Sequence, residues 1–110
     1  MAMHWIFLAT AIVTEVIGTL ALKMSNGFTV FMPSAVVVMG YGASFWLLAL
    51  ALRNLDVGTA YAIWAGVGTA LISIAGVIMF KEPVTAIKAA SVALIILGVI
   101  GLHLADGKAA

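Results

Sequence analysis

The stretch His4-Trp-Ile-Phe-Leu-Ala-Thr-Ala-Ile-Val-Thr-Glu15-Val-Ile-Gly-Thr-Leu-Ala-Leu-Lys23 decides the kind of protein this is. From about His4 to Leu22 it is apolar apart from small hydroxyls and one acid, long enough for a helix that crosses a bilayer, which needs roughly 20 such residues. Trp5 sits at its start, where an interfacial aromatic belongs. Lys23 closes it, and Ser25-Asn26-Gly27 is a turn signal. The run is too long for the hydrophobic region of a usual signal peptide, contains an acid and follows no cationic residue, so it is expected to stay in the protein as a span.

Three more runs repeat the pattern. The second extends from about Phe31 to Leu52, with Pro33 in its first turn, where the missing N–H does no harm. Arg53-Asn54-Leu55-Asp56 separates it from a third, about Val57 to Phe80, which Lys81-Glu82-Pro83 ends. The fourth covers about Ala86 to Leu104 and leaves Asp106-Gly107-Lys108 as a polar tail. Only helices close their own backbone hydrogen bonds across lipid in segments of this kind. The expected fold is an all-α membrane protein: one four-helix transmembrane domain over residues 1–110.

Composition agrees. The chain is 65% hydrophobic and only 8% charged, far from the balance of soluble domains. With no cysteine, disulfides and thiol chemistry are excluded. Five scattered Lys/Arg and a net charge of +1 make no nucleic-acid surface. No cofactor or metal site is expected, since zinc needs several ligands and His103 has no second ligand near it in sequence; an interfacial position suits it better. The chain also carries no set of groups suited to enzyme catalysis.

Arg53 and Lys108 fall on the side of the termini, and Lys23, Lys81 and Lys88 on the other. So even a split gives little orientational preference. It allows insertion both ways up, and hence an antiparallel dimer; control of orientation by the first helix alone is the alternative.

Glu15 is the sharpest feature, the one acidic or basic residue deep within a span. A charge there costs at least a few kcal/mol, so such residues usually face a cavity or a partner. Desolvation favours the neutral carboxyl, which can hold a proton and yield it to a competing cation. A structural role as a protonated, helix-linking Glu is the bland reading, but such bonds add only about 1 kcal/mol, and Gln or Ser could make them. On the same face lie Leu8, Ala11, Gly18, Thr19 and Leu22. In the third span Tyr61, Trp64 and Gly68 share a face; their rings suit a cation, and the Tyr61 phenol is placed to reach for Glu15, with helix packing as the alternative. Gly66 and Gly68 mark a bend or a close helix approach. The second span offers Tyr41, Ser44 and Phe45 in one sector, with Trp46 pointing elsewhere. In the fourth, Ser91 and Gly98 are seven apart, a spacing of small residues that suits a dimer interface.

Taken together, Thr14-Glu15-Val16-Ile17-Gly18-Thr19, Ala21-Leu22-Lys23, Gly27-Phe28-Thr29, Pro33-Ser34, Ser44-Phe45-Trp46-Leu47-Leu48 and Gly58-Thr59-Ala60-Tyr61-Ala62-Ile63-Trp64 resemble the small multidrug resistance family of proton-coupled exporters, over nearly the whole chain. The resemblance implies an antiparallel homodimer in a cell membrane, with both copies of Glu15 in one site where protons and small organic cations compete. It implies alternating access, a substrate site lined by Trp64, Tyr61, Tyr41, Ser44, Leu8, Ala11, Gly18 and Thr19, and a helix-3 bend at Gly66 and Gly68. The Glu15–Thr19 run and Tyr41 resemble the quaternary ammonium branch, and guanidinium exporters usually show Trp where this chain has Gly18. Phe80–Ala86 and Gly98–Leu102 look more like the guanidinium branch. Ser91 departs from the Gly common among multidrug members. The expected function is therefore export of hydrophobic and aromatic cations, with guanidinium or polyamine export, or a non-transporting membrane assembly subunit, as alternatives.

Overall fold

The structure is a computed structural model that describes residues 3–109, with side chains through Ala105. Four α-helices follow one another: α1 (Met3–Met24), α2 (Phe31–Ala51), α3 (Val57–Phe80) and α4 (Ala86–Ala109). All four are long and apolar enough to cross a membrane, and no strand occurs among the described residues. The chain is a multi-pass membrane protein with an all-α fold.

The breakers act where expected. After α1, Asn26, Gly27 and Phe28 all take positive φ. The Ser25 side chain holds this turn: its hydroxyl donates to the Leu22 carbonyl at 2.7 Å and accepts the Phe28 N–H at 3.1 Å. At the end of α3, Lys81 adopts the left-handed conformation that stops a helix. One boundary differs from expectation. α4 does not end near Leu104 but continues through Asp106-Gly107-Lys108 to Ala109. No proline follows the span, and a lone glycine costs a helix only about 1 kcal/mol, so nothing there forces a stop. The side chain of Lys108, counted above for orientation, lies outside the described residues.

α1 is central, packed against α2 and α3, while α4 packs on α3. The molecule is a slab of 46 × 35 × 19 Å rather than a closed bundle. Its core gathers Leu8, Ala11 and Ile12 of α1, Leu48 and Ala51 of α2, Leu55 of the loop, and Ala60 and Ile63 of α3. In lipid there is little hydrophobic gain from bringing helices together, so close packing of small residues has to hold them. α1 and α2 show how. A Cβ on Gly40 would stand 2.9 Å from the Thr14 carbonyl oxygen and 3.1 Å from the Gly18 Cα, so the two backbones meet where neither helix has a side chain. By contrast, α4 has no buried residue among those described, and its outer face is open.

Candidate functional site

Glu15 lies mid-way along α1, half-buried, facing α3. Its Oε1 accepts the Thr19 hydroxyl at 2.7 Å, one turn along the same helix. The Tyr41 hydroxyl of α2 lies 2.6 Å from the same Thr19 oxygen. On the other side Oε2 turns to α3 at Gly68, where a Cβ would come within 2.9 Å of it. The missing side chain is what lets the carboxylate lie against α3. A cleft of about 290 Å³ opens here, walled by Glu15, Thr19, Trp64, Gly68, Thr69 and Ile72.

Trp64, which walls the cleft, belongs to a row of aromatic rings. Tyr41 and Phe45 have centroids 6.4 Å apart, Phe45 and Trp64 5.9 Å, and Trp64 and Tyr61 5.5 Å, all tilted. Such a row presents ring faces and edges to a flat or hydrophobic cation. Trp64 is fixed from behind: its indole N–H donates to the Ser44 hydroxyl at 3.3 Å, and Ser44 donates to the Ala11 carbonyl at 2.7 Å. Three helices are thereby linked through one buried serine.

The structure thus brings Glu15, Gly18, Thr19, Tyr41, Trp64 and Gly68 together. It places other residues named from the sequence elsewhere. Leu8 and Ala11 are buried in the helix-packing core. Ser44 is fully buried, with its hydroxyl committed to Ala11 and Trp64. Tyr61 is exposed at the outer end of the ring row. It is also not the phenol tied to Glu15. Seven residues separate it from Gly68, roughly 10 Å along a helix, and the phenol that reaches the carboxylate is that of Tyr41, through Thr19. Gly18 makes room for the Tyr41 ring, whose Cδ1 would lie 2.9 Å from a Cβ there.

Gly66 and Gly68 sit in a helix unbroken from Val57 to Phe80, and both mark close approach. Gly66 leaves space for Val99 and Ile95 of α4, and Gly68 for Glu15. Ser91 and Gly98 lie on the open side of α4. His103 packs its ring at a tilt against Trp5, with centroids 4.7 Å apart, pinning the far end of α4 to the start of α1. Two residues absent from the expected site belong to its construction. Phe45 bridges Tyr41 and Trp64, and its place in the Tyr41/Ser44 sector was the signal for it. Gly40 sets the α1–α2 distance, and the run Gly40-Tyr41-Gly42 does not by itself say which glycine meets another helix.

The chain is similar in sequence to known proteins. The chain is 45% identical over 100 residues to the quaternary ammonium compound-resistance protein QacE of Escherichia coli, covering 91% of each chain. It is 40% identical over 102 residues to the quaternary ammonium compound-resistance protein QacC of Staphylococcus aureus, covering 93% of this chain and 95% of that one. A putative ethidium bromide resistance protein of Escherichia coli is 55% identical over 69 residues, 63% of this chain and 60% of the other. Residues 3–95 match the family described as Small Multidrug Resistance protein, and with the half-buried acid and the ring row beside it falling inside that match, the chain belongs to the small multidrug resistance family.

Proposed function

We propose that this protein exports hydrophobic quaternary ammonium and aromatic cations in exchange for protons, by alternating access of an antiparallel homodimer. The observation that carries the reading is the Glu15 carboxylate in its cleft, bonded to Thr19 and flanked by Trp64. A carboxylate in a membrane interior binds either a proton or a cation, and the rings beside it suit a large, weakly hydrated cation. The names of the relatives, quaternary ammonium and ethidium resistance, point to the same substrates. The Tyr41 ring occupies the space over Gly18, the position where guanidinium exporters usually carry Trp, which favours the quaternary ammonium reading over the guanidinium one.

Two copies are needed to enclose a path, because one protomer is an open slab with its ring row and α4 exposed. Ser91 and Gly98 on the open side of α4 suit the contact between copies. The nearly even split of Lys and Arg between the two sides, two against three, suits opposite orientations.

The test is transport into proteoliposomes driven by an imposed proton gradient. The native protein should accumulate ethidium or a hydrophobic quaternary ammonium ion and do so faster than guanidinium. Glu15→Gln, which keeps the shape but cannot ionise, should abolish gradient-driven uptake. Native-rate uptake by that variant would place the coupling elsewhere.

A further inference from the structure

A second groove lies on the other side of α3, away from Glu15. It holds about 380 Å³ between α3 and α4 and is lined by apolar side chains, among them Ile74, Val77 and Ile78 of α3 and Val92 and Ile96 of α4. Lys88 stands at one end of it. From Lys88 to Ile96 the groove runs roughly 12 Å along α4, close to the ~15 Å depth of one leaflet's hydrocarbon. It is one acyl chain long, with a positive charge at the level of the headgroups.

Lys88 donates to the Pro83 carbonyl at 3.4 Å and pairs with Glu82, but it shares that carboxylate with a second cation. Glu82 folds back against Gly76, where the absent side chain admits its carboxylate. Lys23 of α1 and Lys88 of α4 each lie 3.8 Å from it, one on each oxygen. One carboxylate therefore serves two ammonium groups, which leaves a net positive charge at this end of the groove. The side chains of Lys23, Glu82 and Lys88 all keep access to solvent. Facing directions on α4 separate this groove from the Ser91/Gly98 face by about 140° at 100° per residue, so a dimer contact there leaves the groove open to lipid.

We infer that the α3–α4 groove is a binding site for an anionic phospholipid, one acyl chain lying between the helices and the phosphate held by Lys88, with Lys23 across the shared Glu82 carboxylate. The site is independent of the transport reading, since it shares no residue with the Glu15 cleft.

The test uses full-length protein reconstituted in phosphatidylcholine bilayers with a minor fraction of phosphatidylglycerol, then extracted and weighed with its retained lipid by native mass spectrometry. Phosphatidylglycerol should be retained in preference to phosphatidylcholine. Lys88→Gln should lower that preference about fivefold, the equivalent of ~1 kcal/mol per basic group at an anionic surface, and Lys88→Arg should restore it. Glu82→Gln, by removing the competing carboxylate, should raise it. Ala93→Trp, which fills the groove, should lower retention of both lipids. The proposal fails if the two lipids are retained equally, if Lys88→Gln leaves the preference intact, if Ala93→Trp has no effect, or if a cysteine at position 93 cross-links two copies, which would make the groove a protein interface.

Discussion

The hydroxyls of Tyr41 and Thr19 lie 2.6 Å apart, and the direction of that bond follows from the one beside it. Thr19 has a single proton, and it points to Glu15 Oε1 at 2.7 Å. Tyr41 must then be the donor. Two hydroxyls from two helices thus line up toward the carboxylate, tying α2 to the acid of α1. Tyr41→Phe keeps the ring over Gly18 and removes only the outer donor. Cation affinity at neutral pH should fall about fivefold, matching a hydrogen bond of ~1 kcal/mol, with the fold unchanged. Titration calorimetry on the purified protein checks it; unaltered affinity would show that Thr19 alone suffices.

Gly18 and Gly40 face each other across α1 and α2, yet their substitution should not be equivalent. A Cβ at position 18 meets the Tyr41 ring, a side chain that can turn aside. A Cβ at position 40 meets the Thr14 carbonyl and the Gly18 backbone, which cannot. Gly40→Ala should therefore separate the helices and cost about 1–3 kcal/mol, the usual range for overpacking. Gly18→Ala should cost less stability but shift Tyr41 and weaken cation binding. Thermal unfolding in detergent, read beside substrate affinity, distinguishes the two patterns.

The contrast between these glycines shows how far the sequence could be read. Helix ends were legible because Asn26-Gly27 and Lys81-Glu82-Pro83 break helices locally, whatever they pack against. Glu15 was legible because an acid at lipid depth is costly in any fold. Thr19 and Gly18 followed from helical spacing along one chain segment. What spacing cannot give is the pairing between segments. It left Ser44 a site-lining candidate, although its hydroxyl is spent between Ala11 and Trp64. It directed the Tyr61 phenol to Glu15, when the α1–α2 approach at Gly40 delivers Tyr41 instead. The continuation of α4 to Ala109 was missed because polarity marks the end of a span, not the end of a helix.

Trp64 and Ser44 separate ring chemistry from ring placement. Trp64→Leu retains an apolar residue and removes the ring face. Binding of an aromatic cation should weaken by about tenfold or more, given ~2 kcal/mol for a dehydrated cation–π contact. Ser44→Ala leaves the ring but removes the acceptor of its N–H at 3.3 Å. Its effect should be smaller and should appear as looser indole packing, visible as a red-shifted Trp64 emission in a variant whose Trp5 and Trp46 are replaced by Phe. Unchanged substrate affinity in Trp64→Leu would reduce the residue to packing.

Exchange through Glu15 has a sign that can be worked out from charge alone. A protonated carboxyl has no charge to offer a cation, and a carboxylate neutralised by a bound cation attracts a proton less. Each ligand lowers the affinity for the other by the same factor, because binding linkage is reciprocal. Cation affinity should therefore decline as the medium is acidified, and cation binding at fixed pH should release protons into a weakly buffered solution. With a more acidic exterior, protons enter down their gradient and cations leave against theirs. Thr19→Ala removes the hydroxyl that donates to Oε1 and should weaken cation binding while leaving proton release measurable at saturating substrate. Glu15→Gln should abolish proton release altogether, including at substrate concentrations high enough to force binding through the rings of Phe45, Trp64 and Tyr61. Proton release that persisted in Glu15→Gln would break the argument, for among the described residues no other carboxylate lies in the cleft.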